Sequence, residues 1–244
     1  IRACHDYAVD LQAPFISGKD SMFNDFSGYD AEGNPVKISV PPTILISSLG
    51  IVPDVRRCVS PDFKQPGDKI YIIGATEACL GGSEFLAWWG TVLRGEPFKG
   101  SKAPLPQRGL LSRYRAFARA LREGLVASAE AVGLGGIAVA VARKAIGGLL
   151  GAEIDLSEVP TCGEIGIAEL LFSESPGRII CSISEENSKV FEDLMGSDIC
   201  ACVGRVTESG LKVSFSGKTV LALSLEDLMR AYHDTFREFQ SECL

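Results

Sequence analysis

The chain has 244 residues, of which 46% are hydrophobic and 23% charged, and its net charge at pH 7 is −7. These values are typical of one large or two small globular domains, and they exclude disorder as a description of the whole chain. The sequence contains no basic run, which argues against a nucleic-acid partner because such partners need clustered positive charge. No run of 18 apolar residues appears, so we expect no membrane span.

Eight cysteines are spread along the chain, none of them in a C-x-x-C pair, and several lie in apolar surroundings. This pattern favours reduced thiols in a cytoplasmic protein without a disulfide framework. The two histidines, His5 and His233, are too few and too far apart in sequence to predict a histidine-based metal site. Neither an initiator Met nor the apolar centre of a signal peptide stands at the start, so we expect a fragment of a longer protein.

The first part of the chain mixes helix, strand and turn signals. The pattern predicts the end of a helix over 4–11, a strand over 15–17, a hairpin or loop over 24–35 and a buried strand over 43–52. The last of these is β-branched and apolar almost throughout. Residues 53–68 hold three prolines and few large apolar groups, and they are our candidate domain boundary.

The second part alternates strands and amphipathic helices without a strict βαβ order. The predicted elements are a strand over 69–74, helices over 110–125, 137–146 and 184–194, strands over 199–206 and 211–215, and a last amphipathic helix. Ser184 can cap the helix over 184–194, and Ser224 caps the last helix. This mixture favours an α+β fold class.

The segment Gly18-Lys19-Asp20-Ser21, at a predicted strand end, is the strongest candidate for a ligand-binding loop in the sequence. Glycine lets the backbone approach a phosphate, lysine supplies a positive charge and serine a hydroxyl donor. It is not a Walker loop, because Ala13 stands where the upstream glycine would be required. A surface turn after a strand is the alternative interpretation of the same residues.

Two glycine-rich segments offer weaker signals for anion binding. Leu80-Gly81-Gly82-Ser83 could cradle an anion at a helix start, or could be a tight turn. The segment 133–136 has the glycine content of a dinucleotide loop. We place it after a helix and find no acidic residue about 20 positions further on after a second strand, so we expect no dinucleotide role.

Several motifs, taken in chain order, carry a family resemblance. They are Phe15 to Ser21, Pro41-Pro42-Thr43 with its apolar run, Asp54-Val55, Gly67 to Tyr71, Leu80 to Glu84, and Leu171-Phe172-Ser173-Glu174-Ser175-Pro176-Gly177-Arg178. This ordered series over residues 4–206 resembles the second half of the phosphoribosylformylglycinamidine synthases, which are ATP-dependent amidotransferases of the AIR-synthase-like superfamily.

The resemblance implies a domain organisation. That family carries two tandem AIR-synthase units, each with an N-terminal and a C-terminal domain. Residues 1–60 would be the end of the second N-terminal-type domain, 66–210 a complete C-terminal-type domain with a mixed sheet backed by helices, and 211–244 a final strand and helix. The first unit, which supplies most catalytic groups, would be absent, so the resemblance assigns no catalytic residue to this chain.

The resemblance also implies site residues and partners. Gly18 would meet the nucleotide, Lys19 would lie near its phosphates, and Ser21 would bind the phosphate of the ribonucleotide substrate. The full-length enzyme would use ATP and Mg²⁺, and we expect neither to bind the fragment. Its partners would be the first AIR-synthase copy of the same chain and a glutaminase that supplies ammonia, and the fragment alone could self-associate.

One departure from the family pattern concerns a second, auxiliary nucleotide site. The family often has His-Asp-x-Ser-x-Gly-Gly before the second helix, whereas this chain has Ala131 and Gly133 in place of Asp and Ser. A carboxylate and a hydroxyl are both missing, so we expect this site to be degenerate and to hold no metal. Glu130 is a poor replacement, because neighbouring side chains on a strand point to opposite faces.

Two alternatives remain open from the sequence. The chain could act as a non-catalytic domain that builds an interface and positions a site elsewhere. It could also belong to another member of the superfamily, such as AIR synthase, selenophosphate synthase or a hydrogenase maturation factor.

Overall fold

A computed structural model describes residues 1–20, 24–41, 43–98, 100, 102–105, 107–196 and 200–234. Its helices are α1 Arg2–Asp10, α2 Glu84–Arg94, α3 Leu110–Arg122, α4 Gly136–Gly148, α5 Ile167–Phe172, α6 Ser188–Met195 and α7 Leu225–Asp234. Its strands are β1 Phe26–Tyr29, β2 Pro35–Ile38, β3 Lys69–Ile73, β4 Thr76–Glu77, β5 Val126–Ala131, β6 Gly151–Asp155, β7 Thr161–Cys162, β8 Ile179–Ile183, β9 Cys200–Thr207, β10 Leu211–Phe215 and β11 Lys218–Leu223.

The centre of the fold is a seven-stranded sheet in the order β11-β10-β6-β9-β3-β8-β5. All neighbours in this sheet pair antiparallel except β10 and β6, which are parallel. The predicted α+β class, with a mixed sheet backed by helices, is therefore confirmed. Strand β10 pairs with β6 inside this sheet, so residues 211–215 are continuous with the predicted C-terminal-type domain.

Two hydrophobic clusters cover the two faces of the sheet. One cluster joins Ile70 and Ile72 of β3 to α4, α5 and α7, and the other joins Tyr71 and Ile73 to α3 and α6. The alternation along β3 follows from the pleat, which points successive side chains to opposite faces. A central strand covered on both sides explains why 69–74 reads as a continuous apolar run.

The helices could be expected from apolar spacing, and most lie where it predicts them. Helices α3, α4 and α7 match the predicted ranges, and the Ser224 hydroxyl accepts from the amide of Asp227 as a cap should. The predicted cap at Ser184 is wrong: its hydroxyl makes no capping bond, and a 3₁₀ turn precedes α6.

The buried strand predicted over 43–52 is not formed. These residues have no regular structure, and the side chains of Leu45, Leu49 and Ile51 are more than 90% exposed. An apolar run becomes a buried strand only where neighbouring strands pair with it, and in the described chain the adjacent β1–β2 hairpin pairs only with itself. For the same reason the strand predicted over 15–17 is an exposed irregular segment.

Helix α1 docks on the large sheet domain through a helix cap. The N-cap position of α3 is Gly109, which has no side chain, and the carboxylate of Asp10 accepts from the amides of Gly109 (3.1 Å) and Leu110 (2.8 Å) instead. A carboxylate at this end also suits the positive end of the helix dipole. The chain leaving α1 reaches Gly18 within eight residues of this anchor. No described helix is both long and apolar enough to cross a membrane.

Candidate functional site

The segment around Gly18 lies on the surface of the described structure. Residues 12–20 are all exposed, and the ammonium of Lys19 donates to the carbonyl oxygen of Asp20 at 2.9 Å. Ser21 lies outside the described residues. The lysine is therefore accessible to an anionic ligand, but these residues by themselves enclose no pocket around it.

The structure brings three other sequence motifs together at one carboxylate. Oε1 of Glu174 accepts from the amide of Glu84, at the start of α2, and from the amide of Gly135, at the start of α4, both at 2.9 Å. The glycine-rich segments 80–83 and 133–136 thus meet at Glu174, which belongs to the motif Leu171 to Arg178. Helix starts expose unpaired amides that attract negative charge, and here a side chain of the same chain supplies it.

Close packing reinforces this junction. Gly136 has a φ of +66°, and a Cβ at this position would lie only 2.5 Å from the carbonyl oxygen of Leu171. Only glycine allows both this backbone conformation and this approach. The rings of Phe85 and Phe172 stack with centroids 4.4 Å apart, which joins α2 to the end of α5 beside the same junction.

The positions of the expected auxiliary nucleotide site carry no side-chain ligand. Ala131 and Gly133 are exposed and offer neither a carboxylate nor a hydroxyl. Glu130 points elsewhere: its Oε1 lies 3.0 Å from a guanidinium nitrogen of Arg143 on α4, and its side chain is almost fully buried. Burial raises the pKa of this carboxyl, with Arg143 acting in the opposite direction.

The placement of the 133–136 segment requires a correction. This segment follows strand β5, not a helix, and Asp155 ends the next strand, β6, about 20 residues later. A dinucleotide site is nevertheless not formed, because β9, β3 and β8 separate β6 from β5 in the sheet. The carboxylate of Asp155 instead accepts from the amide of Ser157 at 2.9 Å.

The buried guanidinium of Arg178 forms hydrogen bonds that hold the turn at Glu174. Arg178 is 1% exposed and donates to the carbonyl oxygens of Ser173 and Ser175 and to the hydroxyl of Thr76. The hydroxyl of Ser175 also accepts from the amide of Glu77 at 2.9 Å. Burial lowers the pKa of Arg178 to about 10, so it stays charged at neutral pH. The turn that presents Glu174 is therefore held by charge-assisted hydrogen bonds.

The described residues do not form a metal site. Among them no group of three or more His, Cys, Asp or Glu side chains could hold a metal ion, and the seven described cysteines are free thiols. Cys181 and Cys200 are set in the sheet, where burial raises the pKa of both thiols, that of Cys200 to about 12. Such thiols are poor nucleophiles at neutral pH.

Sequence reasoning assigned no role to Glu174 or Arg178, although both lie in the motif that carried the family resemblance. Their partners Glu84 and Thr76 are 90 and 102 residues away along the chain. The only local signal was a Ser-Glu-Ser-Pro-Gly turn followed by a cation.

Comparison with protein families gives one match that covers most of this chain. Residues 65–216 match the family described as AIR synthase related protein, C-terminal domain. This range includes β3 through β10 with α2 to α6, and therefore the whole Glu174 junction.

Solved structures with the same fold come from Thermotoga maritima. PurL complexed with FGAR has a TM-score of 0.59 and 24% sequence identity over 71% of this chain and 30% of that chain. PurL complexed with ATP has a TM-score of 0.56 and 22% identity over 71% of this chain and 27% of that chain. PurLQS has a TM-score of 0.55 and 24% identity over 71% and 28%. The chain thus spans less than a third of the length of these proteins.

Proposed function

Because this chain belongs to the AIR synthase related protein family through its C-terminal domain, we propose that it is the carboxyl-terminal part of a phosphoribosylformylglycinamidine synthase. The observation that carries this proposal is that a family domain over 65–216 occurs together with the exposed residues Gly18-Lys19-Asp20, which are anchored nearby through Asp10. The likeness in fold to the PurL structures with ATP and FGAR supports it.

The proposed reaction of the whole enzyme converts formylglycinamide ribonucleotide, glutamine and ATP to the amidine, ADP, phosphate and glutamate. ATP activates the amide oxygen as a phosphate ester with release of ADP, and ammonia from a glutaminase then displaces the phosphate. The likeness to PurLQS supports a glutaminase partner. The main physical demand on the protein is to neutralise charge around a transferring phosphoryl group.

The residues of this chain would meet part of that demand. Gly18 lets the backbone approach the nucleotide, Lys19 places a positive charge near its phosphates, and Ser21 donates to the phosphate of the ribonucleotide. A protonated lysine cannot coordinate a metal, so Lys19 fits phosphate and not Mg²⁺. Mg²⁺, when bound elsewhere in the enzyme, would neutralise phosphate charge.

The auxiliary nucleotide site does not fit a metal–nucleotide complex. Ala131 and Gly133 supply no side-chain oxygen ligand, and the Gly135 amide that could meet a phosphate already binds Glu174. We therefore propose that this region is structural and that no nucleotide binds beside 130–136. A crystal grown with ADP and Mg²⁺ tests this, because ordered diphosphate density over 133–136 would contradict it.

A second candidate function is that of a non-catalytic domain. The observation that favours it for the chain alone is the exposed state of residues 12–20, which enclose no site by themselves. In this case the domain would build an interface and position the loop at Gly18 for a catalytic site formed with another AIR-synthase unit.

Complementation is the experiment that tests both candidates. The purified 244-residue chain should form no amidine from ammonia, ATP and formylglycinamide ribonucleotide, whereas adding the separately expressed remainder of the enzyme should restore turnover. Turnover by the chain alone would contradict the fragment proposal. If the mixture stays inactive although the two parts form a complex, the synthase assignment itself would be wrong.

A further inference from the structure

Lys144 on α4 is a lysine whose side chain is 0% exposed. Its ammonium donates to the carbonyl oxygen of Pro61 at 2.6 Å and to the hydroxyl of Ser128 at 2.8 Å, and it lies 5.1 Å from the ring centroid of Phe63. The Ser128 hydroxyl is itself bonded to the hydroxyl of Ser182 at 2.7 Å. A lysine this deeply buried is rare, because removing an ammonium from water is costly.

The segment 60–64, which we call the cover segment, shields this ammonium from solvent. Besides the Pro61 and Phe63 contacts, the amide of Phe63 donates to the carbonyl oxygen of Lys144 at 3.1 Å. Gly148 allows the cover segment to pack this closely on α4, because a Cβ at this position would overlap the carbonyl oxygen of Phe63. Phe63 is 2% exposed and belongs to the main hydrophobic cluster.

The charged groups around Lys144 are engaged elsewhere. Glu130 on β5 pairs with Arg143, and Asp62 on the cover segment pairs with Lys64 at 2.6 Å. Cys181 on β8 faces the ammonium as a buried thiol. The ammonium thus donates to a carbonyl and a hydroxyl, which compensate a buried charge less well than a carboxylate does.

We propose that Lys144 and the cover segment form a proton-linked clamp, which closes more tightly when Lys144 is neutral and opens more readily when it is charged. The segment joins the part of the chain that carries the Gly18 loop to the sheet domain. Opening the clamp would therefore loosen the connection between them. The clamp depends on the contacts of Lys144 and not on the proposed synthase activity.

The direction of the pH effect follows from the pKa of Lys144, which burial lowers from 10.5 to about 8. Below pH 8 the lysine is charged in both the closed and the open states, so the closed state bears the full cost of the buried charge. Between pH 8 and 10.5 the closed state releases its proton while the open state keeps it, so closure becomes more favourable as pH rises. From pH 7 to pH 9 this group alone should raise the closure constant about tenfold.

Other buried groups act in the opposite direction and must be separated. Cys181 and Cys200 ionise near their ordinary pKa of 9.0 in the unfolded chain but not in the fold, so they lower stability as pH rises. A comparison of Lys144→Met with the wild type at each pH cancels their contribution, because both proteins contain both thiols.

The test uses urea unfolding of the 244-residue chain, its Lys144→Met variant and a Lys189→Met control at pH 7 and pH 9. The ratio of the unfolding constants of wild type and Lys144→Met should shift about tenfold in favour of the wild type between the two pH values. The ratio for Lys189→Met, an exposed lysine on α6, should change less than about twofold. A ratio for Lys144→Met that is independent of pH would overturn the proposal.

Two measurements on the wild type distinguish clamp opening from global unfolding and do not need a variant that folds. In an NMR titration of the lysine side chains, one amine should titrate near pH 8. In hydrogen exchange corrected for its intrinsic pH dependence, a peptide spanning 60–64 should gain protection from pH 7 to pH 9 relative to the β3 strand. Titration of every lysine near 10.5, or unchanged relative protection, would overturn the proposal.

Discussion

Arg178 is the largest fully buried side chain of the described structure, and its guanidinium donates to oxygen atoms that carry no formal charge. A buried arginine that bonds carbonyls and a hydroxyl acts as a scaffold for the turn it spans. Its three acceptors, on Ser173, Ser175 and Thr76, would keep their burial and lose their donor if the side chain were replaced. The cost of such unsatisfied groups exceeds the value of the hydrogen bonds themselves.

Replacing Arg178 by methionine should therefore destabilise the fold by about 2–4 kcal/mol, because three buried oxygens lose their donor. Urea unfolding followed by circular dichroism measures the change. Arg122→Met on the exposed end of α3 is the control and should stay within about 0.5 kcal/mol of the wild type. Equal effects of the two substitutions would show that the Arg178 network is not a scaffold.

The Gly18 loop can be tested by kinetics in the full-length enzyme. If Lys19 neutralises phosphoryl charge, Lys19→Ala should cost about 2–4 kcal/mol of transition-state stabilisation. Ser21→Ala should mainly raise KM for the ribonucleotide, because a contact with the substrate phosphate binds ground and transition states alike. Values of kcat/KM near the wild type for both variants would remove the loop from the site and leave it as a surface turn.

At the scale of elements, the Glu174 junction joins the starts of α2 and α4 through one carboxylate oxygen. Glu174→Ala should lower the free energy of unfolding by about 1–3 kcal/mol, since two helix-start amides lose their acceptor. Glu174→Gln keeps an oxygen but loses the charge that favours a helix start, so its effect should be smaller.

Hydrogen exchange at the amides of Glu84 and Gly135 reports directly on this junction. Both amides should lose protection in Glu174→Ala. In Glu164→Ala, which removes an exposed glutamate earlier in the chain, they should keep it. Unchanged protection of both amides in Glu174→Ala would mean that the carboxylate does not hold the two helix starts together.

The elements differ in how far the sequence alone could predict them. Helix α3 follows from apolar spacing at Leu110 and Phe117, which is information within one segment. The burial of Arg113 on the same helix could not be predicted, because its acceptors Gln107 and Gly177 are brought to it by the fold. The run over 43–52 was misassigned because apolar composition does not say whether a pairing partner is present.

The candidate site divides in the same way. The Gly18 loop could be identified from its glycine, lysine and serine, and the losses at Ala131 and Gly133 from the family pattern that the resemblance implies. The convergence of two glycine-rich segments on Glu174 could not, because it depends on the positions of β5, α2 and α5 in space. The placement of 133–136 after a helix was wrong because Val126–Ala131 contains three alanines and a glutamate, which are weak strand formers.

At the scale of the whole molecule, one long stretch of exposed apolar residues lies over 43–52. Ile44, Leu45, Leu49 and Ile51 are each more than two-thirds exposed within 43–52, whereas the sheet domain buries a core on both of its faces. Monomeric proteins rarely leave such contiguous apolar surface in water. The described sheet domain thus has a buried core, whereas residues 43–52 leave an apolar surface exposed to solvent.

We therefore expect the isolated chain to self-associate through 43–52, with an average mass in sedimentation or light scattering that rises with protein concentration. Changing Leu45 and Leu49 together to aspartate should restore the mass of a monomer, because two charges would have to be buried at the contact. Val190→Asp, at an exposed apolar position on α6, is the matched control and should leave the association unchanged. A wild-type chain that stays monomeric at all concentrations would show that this apolar surface finds its cover within the molecule.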